Sequence, residues 1–193
     1  MPYLIIIAGP NGAGKSTAAP ALLKDALHMD NFVNADVIAQ GLCAYQPEKA
    51  AIQAGRIMLD RIHTLADEKA DFAFETTLAS RSFATWIPKL KKQGYQFHLV
   101  FLWLKTVDLA IFRVRERIKS GGHSVPEQTI TRRYSAGLKN FFNLYTPLAD
   151  SWQFYDNSDS NLFLIASKTY KNDPIIKDIE VWQQLLETSN EKR

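Results

Sequence analysis

The chain has 193 residues, a net charge of +3, 46% hydrophobic residues and 22% charged residues, a composition that is typical of one globular domain and excludes collagen-like, low-complexity and wholly disordered chains. Its longest purely apolar run covers residues 99–104, far short of the roughly 20 residues that a membrane-spanning helix needs. The single cysteine, Cys43, cannot form an intrachain disulfide and the N-terminus has no basic leader, so we expect a cytoplasmic protein with no membrane partner.

Positive charge is concentrated in one part of the chain. Residues 81–139 contain 12 Lys and Arg against three Asp and Glu, so the remainder of the chain is net acidic. Such a segment can bind nucleic acid, or it can collect the phosphates of a small nucleotide. Charge alone does not choose between these two ligands.

Short apolar runs alternate with helical patterns along the chain. The apolar runs predict five strands, at residues 3–8, 32–35, 72–75, 97–104 and 162–166. Because 97–104 is the longest and most apolar run, it should lie at the centre of the sheet. Periodicity and start signals predict helices at residues 15–27 with a bend at Pro20, 47–67, from Ser80 onward, 107–118, from a capping box at Ser124–Glu127 onward, and 174–188 before a frayed tail at 189–193. Strands separated by helices indicate one three-layer α/β domain over residues 1–193, with a mainly parallel five-stranded sheet.

The segment between the first predicted strand and helix has the pattern of a phosphate-binding P-loop. It reads Gly-Pro-Asn-Gly-Ala-Gly-Lys-Ser at residues 9–16, which satisfies Gly-x4-Gly-Lys-Ser/Thr. In such a loop backbone N–H groups surround an anion, Lys15 reaches the β- and γ-phosphates, and Ser16 ligates Mg²⁺. We therefore expect a nucleotide such as ATP, with Mg²⁺, bound by Gly9, Pro10, Asn11, Gly12, Ala13, Gly14, Lys15, Ser16 and Thr17.

Two acidic residues come directly after, or at the end of, predicted strands. Asp36 follows the 32–35 run, and Glu75 ends the 72–75 run. Open parallel sheets bind ligands beyond the carboxyl ends of their strands, so both carboxylates should face the crevice at the P-loop. One of them can accept the proton of an acceptor hydroxyl while the other holds substrate or a Mg²⁺-bound water. The alternative is that each carboxylate caps the helix that follows it.

Helical angles sort the arginines of the basic segment. Arg113 and Arg117 are four residues apart and share a face, whereas Arg115 points away from both. In the next predicted helix, Arg133 flanks the apolar stripe and Arg132 faces nearly opposite. Arginines on both sides of the intervening glycine turn resemble a helical lid that closes positive charge over a transferring phosphoryl group. A solvated basic hairpin is the alternative.

Two further polar segments carry no firm assignment. The run Tyr-Asp-Asn-Ser at 155–158 precedes the last predicted strand and either approaches the nucleotide base or forms a bare turn. His123 lies in the turn between two predicted helices, where we expect an exposed side chain.

Four sequence blocks together resemble the zeta-toxin family of P-loop kinases. They are the P-loop at 9–16, Val-Asn-Ala-Asp at 33–36, Phe-Glu-Thr-Thr-Leu at 74–78, and Arg-Val-Arg-Glu-Arg, Gly-Gly-His-Ser-Val-Pro and Arg-Arg-Tyr between 113 and 134. The resemblance covers about residues 3–158 and implies a P-loop NTPase or small-molecule-kinase fold with ATP- and Mg²⁺-dependent phosphotransferase activity. The acceptor it implies is UDP-N-acetylglucosamine, at the 3′-hydroxyl of the sugar, and the implied protein partner is an antitoxin.

The resemblance also implies roles for individual residues. Lys15 and Ser16 match the nucleotide and metal site, and Asp36, on the substrate side, matches the catalytic base. The remaining matches are Glu75, Thr76 and Arg113 for substrate binding, and Arg117 and Arg133 for the charges of a lid around residues 113–134. The chain has little room for a large substrate-binding appendage, so the resemblance supports kinase chemistry more strongly than the sugar-nucleotide acceptor.

Two other classes of function fit the same residues. A nucleic-acid-binding P-loop protein, such as a polynucleotide kinase, would use the basic segment and would bind less tightly as salt rises. A nucleotide-driven switch would close the lid on ATP without transferring a phosphoryl group. We favour transfer to a small hydroxyl acceptor over both.

Overall fold

The computed structural model of the chain describes residues 1–25, 29–119, 121–122, 124–159 and 161–190. Its strands are β1 Tyr3–Ala8, β2 Phe32–Val33, β3 Phe72–Thr76, β4 Gln96–Trp103, β5 Ser151–Asp156, β6 Phe163–Lys168 and β7 Ile175–Ile176. Its α-helices are α1 Lys15–Ala19, α2 Ala35–Leu42, α3 Ala51–Asp67, α4 Ser82–Lys92, α5 Val107–Lys119, α6 Glu127–Asn140 and α7 Ile179–Asn190. Within the described ranges the strands form one sheet in the order β2-β3-β1-β4-β5-β6-β7. No helix in these ranges is long and apolar enough to cross a membrane.

The central strands are continuous apolar runs because both faces of the sheet are covered. Residues 4–8 of β1 are at most 3% exposed, and β1 pairs in parallel with both β3 and β4. On one face, α3, α4, α7 and the C-terminal half of α6 form a large aromatic-rich core. On the other face, α1 and α5 cover the sheet. The predicted three-layer α/β architecture is confirmed, and β4 lies at the centre of the sheet as expected.

The sheet has two strands that the apolar runs do not predict. The run β5 alternates buried and less buried residues, with Trp152 and Phe154 facing the core, so its signal is a period of two rather than continuous apolarity. The pair Ile175–Ile176 bonds antiparallel to β6. The predicted last helix at 174–188 therefore begins later, at Ile179, and it includes residues 189 and 190 of the expected frayed tail; residues 191–193 lie outside the described ranges.

Three helix predictions need correction. The first helix is α-helical only to Ala19, and a π-helical turn follows from Pro20, where the ring removes a backbone donor; residues 26–28 lie outside the described ranges. Helix α2 is absent from the predicted set. The predicted capping box is wrong, because α6 begins at Glu127 with Pro126 at the N-cap position and no side-chain cap.

Helix α6 crosses the carboxyl edge of the sheet from one face to the other. Its Ile130 packs in the core beside α5, whereas Leu138 packs in the opposite core. Its C-terminal half is fixed to the segment after β3, because Asn140 donates from Nδ2 to the carbonyl oxygens of Leu78 and Ala79, at 2.8 Å and 3.2 Å. The middle of α6 therefore lies over the ends of the parallel strands.

Close packing of α6 on the segment after β3 predicts that Gly137→Ala destabilises the protein. A Cβ at Gly137 would lie 2.4 Å from the carbonyl oxygen of Thr77, a backbone atom that can move away only with its whole segment. Overpacking of this kind costs about 1–3 kcal/mol, and a contact with a backbone atom belongs at the upper end of that range. The higher helix propensity of alanine offsets about 1 kcal/mol, so we expect the free energy of unfolding in urea to fall by about 1–2 kcal/mol.

The matched control is Gly55→Ala, in the interior of α3. A Cβ at Gly55 would meet no heavy atom within 4 Å outside its own helix, so the higher helix propensity of alanine should raise the free energy of unfolding by about 1 kcal/mol. A Gly137→Ala protein as stable as wild type would contradict the close contact between α6 and Thr77.

Candidate active site

The loop between β1 and α1 is a tight turn that depends on glycine. Gly9 has a φ of +143°, and a Cβ there would lie 2.2 Å from the carbonyl oxygen of Leu102. Gly14 has a φ of +74°, and a Cβ there would lie 2.7 Å from Nδ2 of Asn157. Glycine adopts such angles without steric cost. The other predicted nucleotide-binding residues of the loop region are Pro10, Asn11, Gly12 and Ala13 within the loop, and Lys15, Ser16 and Thr17 at the start of α1.

Lys15 is a buried cation at the mouth of this loop, 7% exposed. Its Nζ donates to the carbonyl oxygen of Pro10 at 3.0 Å and lies 3.7 Å from Oε1 of Glu75. Burial lowers the pKa of Lys15, while the carboxylates of Glu75 and Asp36 oppose that shift. An ammonium group that has lost most of its water gains more from phosphate oxygens than a solvated one would.

Glu75 connects the end of β3 to the P-loop. Its Oε2 accepts a hydrogen bond from the Ser16 hydroxyl at 2.7 Å and another from Nδ2 of Asn34 at 2.8 Å. Asn34 is also 3.3 Å from the Ser16 oxygen. The prediction that Glu75 faces the P-loop crevice is therefore confirmed by its contacts, and these contacts leave no support for the alternative that it caps a helix.

Asp36 stands in the first turn of α2, beside the P-loop. The helix is capped by Asn34, whose Oδ1 accepts from the backbone N–H groups of Asp36 and Val37 at 2.8 Å and 3.3 Å. The alternative that Asp36 is the cap is therefore wrong. Its side chain is 48% exposed, and its Oδ2 lies 3.9 Å from Nη1 of Arg117. The carboxylate can thus reach a molecule that enters from solvent.

Arg133 lies on the middle of α6, directly above the loop. Its Nη1 donates to Oδ1 of Asn11 at 3.5 Å. Burial lowers the pKa of Arg133, the neighbouring Arg132 lowers it further, and Asp36 partly offsets both effects. Arg133 and Arg117 therefore reach the P-loop side from two different helices, α6 and α5.

The other arginines that helical angles placed outside the site are indeed outside it. Arg115 donates from Nε to Oε1 of Glu127 at 2.9 Å, and both side chains are exposed. Arg132 is exposed on the far side of α6. The angular separation of Arg133 from Arg132, and of Arg117 from Arg115, is confirmed.

Arg113 differs from its predicted place. Its two terminal nitrogens donate to the carbonyl oxygens of Asn157 and Ser158, each at 2.7 Å. Asn157 in turn donates from Nδ2 to the carbonyl oxygen of Ala13 at 2.8 Å. The guanidinium group of Arg113 thus holds the turn after β5 against the P-loop, and Arg113 does not line the cavity that contains Asp36; its role in substrate binding stays a prediction.

A cavity of about 340 Å³ brings together most of the predicted catalytic and substrate-binding side chains, but Arg113 and Arg117 do not line it. Thr76 lies in its wall, and its Oγ1 accepts from the backbone N–H of Leu78 at 3.2 Å. The residues in the wall with polar or charged side chains are Asn11, Lys15, Asn34, Asp36, Glu75, Thr76, Thr77, Ser80, Ser82 and Arg133. A second cavity, of about 800 Å³, opens near His98 at the opposite edge of the sheet and contains none of the predicted site residues.

Asn34 is a site residue that the sequence patterns do not predict; Thr77, Ser80 and Ser82 of the cavity wall are others. Asn34 is 6% exposed and contacts both the P-loop and the end of β3. Its role as the N-cap of α2 had a local signal, because asparagine is a preferred N-cap, but its contact with Glu75 had none. The predicted strand at 32–35 includes Asn34 and the first residue of α2, so it assigned the N-cap position to a strand.

The Zeta toxin family matches residues 1–168. The chain belongs to the zeta-toxin family of P-loop kinases. An uncharacterized protein of Haemophilus influenzae is 31% identical over 130 residues, which cover 67% of this chain and 91% of that protein.

Solved structures share the fold of this zeta-toxin family member. A chain of the AvrRxo1-ORF1:AvrRxo1-ORF2 complex with sulphate ions superposes with a TM-score of 0.79 and 14% identity over 100% of this chain and 65% of its own length. This chain therefore spans less than two thirds of that protein. A chain of the PezAT toxin–antitoxin system of Streptococcus pneumoniae superposes with a TM-score of 0.64 and 15% identity, over 98% of this chain and 84% of its own.

The buried position of Lys15 predicts that Lys15→Ala weakens ATP binding while the protein stays folded. A charge-assisted hydrogen bond contributes about 1.5–3 kcal/mol, so the Kd for ATP should rise about 10- to 100-fold in titration calorimetry. Phosphoryl transfer should be lost as well. The control is Lys89→Ala, an exposed lysine of α4, which should bind ATP like wild type; wild-type ATP affinity in Lys15→Ala would reject the P-loop assignment.

The arginines predict a different pattern in steady-state kinetics. If Arg117 and Arg133 stabilise charge that develops during transfer, Arg117→Ala and Arg133→Ala should lower kcat about 10²–10³-fold and change the KM for ATP far less. The matched variants Arg115→Ala and Arg132→Ala remove the same charge from the neighbouring exposed positions and should leave kcat near wild type. Equal losses in all four variants would instead indicate a diffuse basic surface.

Proposed function

We propose that this protein transfers the γ-phosphoryl group of ATP to a hydroxyl group of a small acceptor, with Asp36 as the general base. The observation that carries the proposal is the joint wall of one cavity, in which Lys15 of the P-loop, Asp36 of α2 and Arg133 of α6 all lie. Phosphoryl transfer depends on positioning and on charge stabilisation rather than on covalent catalysis. A donor-side cation, a solvent-accessible carboxylate and a guanidinium group supply these two requirements.

The donor side uses the P-loop and the end of β3. Lys15 exchanges its contact with the carbonyl of Pro10 for the β- and γ-phosphates of ATP. Ser16 and Glu75 present two oxygen atoms 2.7 Å apart, and hydroxyl and carboxylate oxygens are ligands that suit Mg²⁺ directly or through water. When bound, Mg²⁺ neutralises charge that develops on the phosphate oxygens. The residues present therefore fit this metal.

The acceptor side uses the carboxylate of Asp36. It takes the proton of the acceptor hydroxyl as the new oxygen–phosphorus bond forms, while the bond between the γ-phosphorus and the bridging oxygen breaks and ADP leaves. Arg117, 3.9 Å from this carboxylate, and Arg133 hold positive charge beside the transferring group. We propose that both arginines belong to a lid around residues 113–134 that closes on the nucleotide in a single kinase domain.

We further propose a sugar nucleotide as the acceptor class, with the sugar 3′-hydroxyl of UDP-N-acetylglucosamine as the first candidate. Family membership supports this choice. The cavity wall also contains the hydroxyl groups of Thr76, Thr77 and Ser80, which can pair with the hydroxyls of a sugar. A cytoplasmic location and a partner protein that acts as an antitoxin are proposals of the same kind, since a chain of similar fold comes from a toxin–antitoxin system.

A polynucleotide acceptor is less well supported, although the segment 81–139 is basic. Several of its cations are engaged with other parts of the protein: Lys91 with Asp150, Arg115 with Glu127, Lys119 with Glu116, and Arg113 with two backbone carbonyl groups. Ion pairs of this kind reduce the charge that the segment offers to a phosphate backbone.

The general-base role predicts that Asp36→Asn abolishes transfer but keeps ATP binding. General-base assistance contributes about 10²–10⁴-fold in rate, which is roughly 3–5 kcal/mol of barrier. We expect the transfer rate to fall at least a hundredfold, with the Kd for ATP unchanged or slightly lower because a negative charge has been removed near the triphosphate. Transfer is followed by mass analysis of the acceptor, and ATP binding by calorimetry.

Asp60→Asn is the control for this experiment. Asp60 is an exposed aspartate of α3 that does not line the cavity, so the same charge change there should leave both measurements at wild type. If Asp36→Asn binds ATP normally and still phosphorylates the acceptor within a few-fold of wild type, Asp36 is not the base.

A further inference from the structure

We propose that Asn34 is a positioning residue that joins the metal side of the site to the base, with its amide N–H group holding Glu75 and its carbonyl oxygen holding the helix of Asp36. This inference rests on the proposed function, since it gives Glu75 a task near Mg²⁺ and Asp36 a task near the acceptor. Nothing in the sequence motifs of the P-loop requires an asparagine here. The contacts of its two amide atoms carry the argument.

The carbonyl side of the amide determines where α2 begins. Oδ1 accepts hydrogen bonds from the backbone N–H groups of Asp36 and Val37, and Asn34 has extended backbone angles, with φ −134° and ψ 118°, as an N-cap residue should. Because Asp36 is the second residue of the helix, loss of this cap would move the proposed base.

The nitrogen side of the amide faces the opposite way, into the P-loop. Nδ2 donates to Oε2 of Glu75 at 2.8 Å and lies 3.3 Å from Oγ of Ser16. The partners fix the orientation of the amide: after a flip, the carbonyl oxygen would face the Glu75 carboxylate and the NH₂ group would face two N–H donors. With 6% exposure, the side chain has little room for other arrangements.

The pairing of β2 with β3 brings these residues together. Val33 is the partner of Phe74 in the parallel register, so the next residues along the two strands, Asn34 and Glu75, end side by side. The alignment needs only the short strand β2. Asn34 therefore meets Glu75 through the backbone register rather than through a flexible loop.

Asn34 differs from the other partners of Glu75 because it is not proposed to contact the nucleotide or the metal. Lys15 and Ser16 both contact Glu75 in the structure, and both are proposed to turn toward phosphate and metal when ATP binds. The amide of Asn34 has no such second task. It is therefore the donor that keeps Oε2 of Glu75 oriented while the nucleotide is bound, and partners of this kind typically change metal affinity or activity 10- to 100-fold when removed.

Substitutions can separate the two halves of the amide. Asn34→Ser and Asn34→Asp both keep an oxygen that can cap α2, but neither can donate an amide N–H to Glu75, and aspartate adds a negative charge beside it. Asn34→Ala loses the cap and the donor together. Asp178→Ala is the matched control, because Asp178 accepts from the backbone N–H of Val181 at the start of α7, a cap outside the P-loop cavity.

The experiment measures the Kd for ATP with and without Mg²⁺ by calorimetry, together with thermal unfolding. We expect Asn34→Ser to unfold near the wild-type Tm, and Asn34→Asp to unfold at a lower temperature because it buries a second carboxylate beside Glu75. The serine variant should bind ATP without Mg²⁺ within about threefold of wild type, whereas in Mg²⁺ both variants should bind it about 10-fold or more weakly than wild type. Asp178→Ala should lower Tm and leave the Mg²⁺ effect intact.

Two results would overturn the inference. In one, Mg²⁺ lowers the Kd for ATP of Asn34→Ser and Asn34→Asp by the same factor as in wild type. Asn34 would then be a helix cap alone. The other is a loss of the Mg²⁺ effect in Asp178→Ala, which would make it a general consequence of lower stability. Failure of the proposed function is a separate outcome, in which wild type phosphorylates no acceptor, and the ATP titrations do not depend on it.

Discussion

The parallel register of β1 against β3 is the constraint on which the rest of the site depends. It pairs Ile7 with Glu75 and Ala8 with Thr76, so the P-loop leaves the sheet immediately beside the carboxylate at the end of β3. The salt bridge from Lys15 and the hydrogen bond from Ser16 to Glu75 follow from this alignment. A shift of one residue would turn the Glu75 side chain to the other face of the sheet and separate the P-loop from its acidic partner.

A second constraint comes from α6, which crosses the carboxyl edge between the two cores. Its C-terminal half is fixed, because Gly137 lies against the backbone of Thr77 and Asn140 bonds to the carbonyls of Leu78 and Ala79. Arg133 therefore stands on an anchored helix, and Arg117, near the C-terminal end of α5, pairs with the half-exposed Asp36.

The P-loop, the strand before it and the start of the helix after it were predictable from the sequence because their signals are local. A continuous apolar run followed by a glycine-rich loop and a lysine specifies β1, the loop and α1 without reference to the rest of the chain. Helical angles separate Arg117 from Arg115 for the same reason. Helical angles depend only on the spacing of residues in the sequence, so they show which side chains share a face without information on the neighbouring elements.

The features that the sequence did not predict depend on contacts between distant segments rather than on local signals. Arg113 shares a face with Arg117, but the turn after β5 occupies its guanidinium group, and this turn could not be placed without β5, whose signal is an alternation of only six residues. Asn34 became visible as a site residue only when β2 was aligned with β3. Register and edge strands are set by tertiary pairing, which a single sequence read in local windows does not contain.

The most direct test of phosphotransferase activity is to incubate the protein with γ-labelled ATP and Mg²⁺ against a panel of sugar nucleotides, nucleosides and oligonucleotides, and to identify the products by mass. The site described here predicts a labelled small molecule that is one phosphate heavier than its acceptor, with sugar nucleotides as the preferred class. Label found only in inorganic phosphate, or only on oligonucleotides, would contradict it.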